Sequence, residues 1–242
     1  MDKKQISNKD IILDYNRIYS GPGIKTNSGY YRWLVSLLRP KSNTKLLDVS
    51  CGEGVFLREF GRRVKDSRAF GLDISDKALA KSANNAPSGH FTVADGQFIP
   101  FADEGFDYVT CLGSLEHYLD PEKGMRELLR VGKKTALFCI VLPNSVSIDF
   151  LLHVVKNGTK PVDDFQIIER TAARKEWEAM LKKNGFEIVK TYGSNLWPEL
   201  FQEGTFKVKS VVKYIKRKLI KMFCPINLAR EFVFICRNKD EK

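Results

Sequence analysis

Seven short runs rich in apolar and β-branched residues punctuate the chain, at Lys45 to Ser50, Arg68 to Asp73, His90 to Ala94, Phe106 to Leu112, Thr135 to Leu142, Phe186 to Tyr192 and Glu231 to Arg237. Most are continuous rather than alternating, which is the pattern of strands covered on both faces. Helical patterns separate them. Val55 to Val64 repeats apolar residues near the 3.6 period, Ser75 stands where it caps Asp76 to Asn84, and Pro121 suits the first turn of a helix reaching Arg130. From Ala172 to Asn184, Trp177, Met180 and Leu181 share a face, and Gly185 supplies the stop. This alternation predicts an α/β fold with a doubly wound, mostly parallel sheet of seven strands.

Two short helices, Ile6 to Tyr19 and Ser28 to Leu38, precede the first strand and are joined by Ser20-Gly21-Pro22-Gly23. The expected organisation is one domain, because 242 residues are few for two. Within it, 1–40 form a helical lid, 41–195 the ligand-binding core, 196–230 a basic insertion, and 231–242 the last strand and tail. The stretches Asn144 to Glu169 and Leu196 to Leu228 are loop regions placed for substrate recognition.

A hydrophobic share of 43% with 29% charged residues excludes wholesale disorder. The longest apolar run, Ala136 to Leu142, is too short to span a bilayer, and the polar start Met1-Asp2-Lys3-Lys4-Gln5 carries no secretory signal. A cytoplasmic protein is expected. Cys51, Cys111, Cys139, Cys224 and Cys236 form no C-x-x-C pair and read as packing thiols. The net charge of +11 is local: Gly204 to Arg230 holds eight basic residues and no acid.

The first strand breaks into small residues in Leu47-Asp48-Val49-Ser50-Cys51-Gly52-Glu53-Gly54, where a tight turn lets a ligand approach the backbone before a helix begins. Nineteen positions beyond Gly54 comes Asp73, an acid ending the second strand, placed to accept both hydroxyls of a ribose. Ala94-Asp95-Gly96-Gln97-Phe98 closes the third strand. There Asp95 is positioned to accept from an exocyclic amine of a base while Phe98 or Ile74 packs on the ring.

With these motifs in order, the chain resembles the class I S-adenosylmethionine (SAM)-dependent methyltransferases, in particular their ubiquinone/menaquinone-biosynthesis-like, small-molecule branch. The resemblance runs from about Lys45 to Gly193. Besides the glycine loop, Asp73 and Asp95, it includes Ile99-Pro100-Phe101, Phe106-Asp107-Tyr108-Val109, Leu115-Glu116-His117 and the segment Leu181 to Phe186. It implies a Rossmann-like sheet of order 3-2-1-4-5-7-6 with the last strand antiparallel. It implies SAM as cofactor, held by Asp48 and the backbone of Ser50, Cys51, Gly52 and Gly54 around the methionine portion, by Asp73 at the ribose, and by Asp95, Gly96 and Gln97 with Ile74 at the adenine. Leu112 to Ser114 would line the reacting methyl. Two departures stand out: Ser50 replaces the first glycine of the usual loop, where its side chain would crowd the turn, and Val131-Gly132-Lys133-Lys134 replaces the usual Pro-Gly turn.

A nicotinamide dehydrogenase would need a small residue at Leu57, and an amino-methyltransferase of nucleic acid would carry Asn or Asp followed by Pro-Pro and an aromatic where Cys111-Leu112-Gly113-Ser114 stands. Nucleic acid is therefore not the expected partner. Because a hydroxyl acceptor must lose its proton, His117 is the candidate base, against the alternative that it only organises its loop. Glu116 reads as a structural or solvent-facing acid, and no matching acid cluster points to a metal. Tyr15, Tyr19 and Tyr30 are candidate walls of an acceptor site.

Within Lys207 to Phe223, Val208, Val211, Val212, Ile215, Leu219 and Met222 recur at helical spacing opposite basic residues, the pattern of a cationic amphipathic helix. Such a helix either docks an enzyme on an anionic membrane or packs on its own domain. The expected activity is methylation of a small-molecule or saccharide acceptor, lipid-linked if that helix binds membrane, at oxygen. The alternatives are an RNA methyltransferase, or a noncatalytic protein of this fold that recruits a membrane or RNA partner.

Overall fold

The computed structural model describes residues 6–21, 24, 27–161, 166–195 and 224–239. The proposed amphipathic segment 207–223 lies outside them. Helices α1 (Asn8–Ser20) and α2 (Ser28–Leu38) lead into β1 (Lys45–Val49), α3 (Val55–Gly61), β2 (Arg68–Asp73), α4 (Asp76–Asn85), β3 (His90–Val93) and β4 (Phe106–Leu112). There follow α5 (Pro121–Val131), β5 (Gly132–Pro143), α6 (Ile148–Asn157), α7 (Arg174–Lys183), β6 (Phe186–Ser194) and β7 (Glu231–Asn238).

The seven strands form one sheet in the order β3-β2-β1-β4-β5-β7-β6. The first five run parallel, and β7 pairs antiparallel with both β5 and β6. Side chains alternate across each strand, so the core divides in two. Leu47, Val49, Phe138, Ile140, Phe232 and Phe234 belong to one cluster with Met125 and Leu128 of α5 and Trp177 and Leu181 of α7. Leu46, Cys139, Val141, Val233 and Ile235 belong to the other, with Leu34 and Leu38 of α2 and Phe56 and Phe60 of α3. The strands are covered on both faces, which is why their sequences read as unbroken apolar runs.

The expected helix starts follow from local chemistry. Ser75 Oγ accepts from the Ala78 amide to cap α4, and Asp120 accepts from Lys123 while Pro121 opens α5. Strand β5 is longer than its apolar run, beginning at Gly132, opposite Phe106, so the altered turn before it is absorbed as extra strand. Helix α6 lies in the stretch read as loop; it buries none of its ten residues, and Val155 is 84% exposed. Its signal was present in the Ser147 cap and in Leu151, Leu152 and Val155 at helical spacing, and the loop reading passed over it. Cys51, Cys111, Cys139 and Cys236 are free and buried, as packing thiols should be. Among the described residues no helix is long and apolar enough to cross a membrane.

Phe138 is fully buried in β5 and meets the ring of Phe186 edge-on at 5.2 Å between centroids. Phe138→Ala should cost about 3–5 kcal/mol by opening a cavity at the centre of the sheet, read as a lower urea midpoint at unchanged m-value.

Candidate active site

A cavity opens beside the ends of β1, β2, β3 and β4 and is bordered by α1. Ligand sites in open α/β sheets fall outside the carboxyl ends of the strands, where this cavity lies.

The turn after β1 is built in the left-handed region, with φ of 57° at Ser50, 53° at Gly52 and 70° at Gly54. A Cβ on Gly52 would lie 2.8 Å from the Tyr19 hydroxyl, so glycine serves there both the turn and the close approach of α1. The expected crowding by Ser50 does not occur, because its Oγ points to the Tyr118 hydroxyl, 2.8 Å away.

Asp73 ends β2 and is buried. Its Oδ2 accepts from the Gly52 amide and its Oδ1 from the Ser75 amide, both at 2.9 Å. A carboxylate offers about four acceptor positions, leaving two for a pair of hydroxyls. Burial pushes its pKa up to about 6, and the amide hydrogen bonds work against that rise. Asp95, after β3, accepts from the amide and side-chain nitrogen of Gln97 and, at 3.0 Å, from Asn8 Nδ2 of α1. A base amine reaching Asp95 must share it with Asn8. Ile74 lines the cavity, whereas Phe98 is 60% exposed beneath Lys123 Nζ and cannot pack on a ligand ring.

After β4, Gly113, Ser114, His117 and Tyr118 line the wall. His117 Nδ1 lies 2.5 Å from the Ile168 carbonyl. A carbonyl only accepts, so Nδ1 carries the hydrogen and Nε2 of the neutral ring carries the lone pair. Arg170 fastens the same turn by donating to the carbonyls of Glu116, Tyr118 and Leu119. Glu116 is buried rather than solvent-facing; burial lifts its pKa to about 8, and its Oε1 sits 3.7 Å from His117 Nε2.

Of the residues read from the sequence, Tyr15, Tyr19, Ser50, Asp73, Ile74, Asp95, Gly96, Gln97 and His117 come together around the cavity. Asp48, Cys51, Gly52, Gly54 and Leu112 stand outside its lining. Asp48 is buried within the sheet, where Thr110 Oγ1 donates to it at 2.6 Å and burial raises its pKa to about 7. Tyr30 does not reach the site: it packs against Tyr31 and Trp33, its hydroxyl beside Glu231. Ile11, Ile24, Tyr118 and Gln166 line the cavity without having been singled out. Tyr118 was discoverable, since it directly follows Leu115-Glu116-His117; Ile11 and Ile24 carry no local sign.

A methyltransferase-domain family model matches residues 47–140. An uncharacterized protein of Methanocaldococcus jannaschii is 30% identical over 196 residues, 72% of this chain and 75% of its own length. The ubiquinone/menaquinone biosynthesis C-methyltransferase UbiE of Rickettsia felis is 26% identical over 62% of this chain and 71% of its own. Among solved structures, the [4+2]-cyclase SpnF superposes with a TM-score of 0.67 at 16% identity, over 98% of both chains, a likeness of fold alone. This chain belongs to the class I SAM-dependent methyltransferases, and its cofactor is SAM. The buried Asp73 carboxylate and the left-handed turn at one cavity edge fit that cofactor.

Asp73→Asn should weaken SAM binding roughly a hundredfold in calorimetry, as expected for losing hydrogen bonds to a charged acceptor. Wild-type affinity should rise between about pH 5 and 7 as Asp73 ionises. Stability without cofactor runs the other way. Asp73, Asp48 and Glu116 hold protons in the folded state that the unfolded chain releases from about pH 4, so their effect is to lower stability as pH climbs toward about 8. The urea midpoint should fall across that window, and less so in Glu116→Gln.

Proposed function

We propose that the protein transfers a methyl group from SAM to an oxygen of a small-molecule or saccharide acceptor, with His117 as the base that removes the hydroxyl proton. The cofactor supplies a methyl on a sulfonium, a good leaving group, so the chain's task is alignment, exclusion of water and proton removal. Asp73 would orient the ribose hydroxyls, the backbone of Ser50 to Gly54 the methionine portion, and Asp95 with Gln97 the adenine edge. Tyr15 and Tyr19 of α1 lie on the cavity wall and would shield the reacting groups from water, the part assigned to residues 1–40 as a lid.

One observation carries the reading: His117 lies on the cavity wall after β4 with its Nδ1 hydrogen committed to the Ile168 carbonyl. That fixed tautomer supports proton acceptance at Nε2. Sequence 207–223, cationic and amphipathic in pattern, is proposed to hold the enzyme at an anionic membrane where a lipid-linked acceptor resides.

Incubating the enzyme with SAM and fractionated cell metabolites should release S-adenosylhomocysteine in fractions containing hydroxylated acceptors. His117→Ala should lower kcat by roughly 10²–10⁴-fold, and the loss should shrink with rising pH as the acceptor ionises unaided. A product methylated at carbon, as the name of the Rickettsia relative describes for that protein, would overturn the oxygen assignment.

A further inference from the structure

Three loops furnish the cofactor edge of the cavity, following β1, β3 and β4, and one phenol ring touches all of them. Tyr118 is buried in the turn after β4. Its ring lies so close to Gly96 of the β3 loop that a Cβ there would meet the hydroxyl at 2.0 Å, and one on Gly124 of α5 would meet the ring at 2.6 Å. The hydroxyl ends 2.8 Å from Ser50 Oγ in the β1 loop and 4.0 Å from Cys111 Sγ. Ring and hydroxyl are thus held from several sides, and Ser50 receives a partner whose position is fixed.

Ser50 needs such a partner. At φ 57° it sits in left-handed backbone, where an L residue is disfavoured against glycine because its Cβ crowds the carbonyl oxygen. Short polar side chains persist there when a hydrogen bond compensates. The next residues depend on that conformation: Cys51 N donates to the Leu72 carbonyl and Gly52 N to Asp73 Oδ2. If Ser50 relaxed toward negative φ, the Gly52 amide would turn away from Asp73.

We propose that Tyr118 is a positioning residue for the cofactor loop, its hydroxyl holding Ser50 in the left-handed conformation that a glycine would adopt unaided. The inference rests on the reading that Ser50 to Gly54 hold the methionine portion of SAM. It assigns no chemistry to Tyr118. What it adds is that the serine and the phenol act as a pair, and that glycine at position 50 makes the phenol's hydroxyl dispensable.

A double-mutant cycle tests it, with SAM and S-adenosylhomocysteine as calorimetric probes of the full-length protein. Tyr118→Phe keeps the ring between Gly96 and Gly124 and loses only the hydroxyl. It should weaken SAM binding roughly tenfold, the size of one buried hydrogen bond, in the wild-type chain. In a chain carrying Ser50→Gly the same substitution should weaken it by no more than about twofold. Urea midpoints of all four proteins supply the second readout, because a merely structural hydroxyl would lower them equally in both backgrounds. An equal loss of affinity in both backgrounds, or no loss in the wild-type chain, overturns the pairing. Wild-type protein that binds neither probe overturns the cofactor-loop reading itself, and the pairing with it.

Discussion

The carboxylate of Asp73 accepts one backbone amide from the turn after β1 and another from Ser75, the cap of α4, and the edge of the sheet is organised around that shared acceptor. Two loops that would otherwise leave amides unpaired are fixed relative to each other by one side chain. Burial penalises the charge, yet the amides lower the cost of keeping it, so the group is poised to ionise near neutral pH. Ser75 extends the arrangement by capping α4 and donating to Asn16 of α1 at 2.6 Å.

Helix α1 is tied to the site by polar contacts at intervals along its length as well as by its buried Ile11, Ile18 and Tyr19. Asn8 reaches Asp95, Asp14 accepts from the Ile167 amide, and Asn16 accepts from Ser75. Ile11, Tyr15 and Tyr19 present the apolar side of the same helix to the cavity.

The fold was largely legible because its strands are continuous apolar runs and its helix starts carry their own caps, at Ser75 and at Asp120 with Pro121. The place of Asp73 at the cavity was legible from its distance behind a glycine turn. Phe98 and Tyr30 were misplaced for one reason: an aromatic near a motif says nothing about which way it turns. Phe98 faces outward under Lys123, and Tyr30 faces the core beside Glu231. Asp48, though inside the motif, points into the sheet to Thr110 rather than into the cavity.

Sequence alone determined the order of the strands and of the helices other than α6, the turn after β1 and the acid that serves it, since each depends on neighbours within about one structural unit. Which residues share the cavity was decided only by the tertiary structure. Ser50 and Tyr118 lie 68 positions apart, Asn8 and Asp95 87 apart, and His117 and Ile168 51 apart. Each pair forms because the sheet brings distant loops to one edge, and hydrogen bonds of a few ångströms depend on that convergence, which no local pattern encodes.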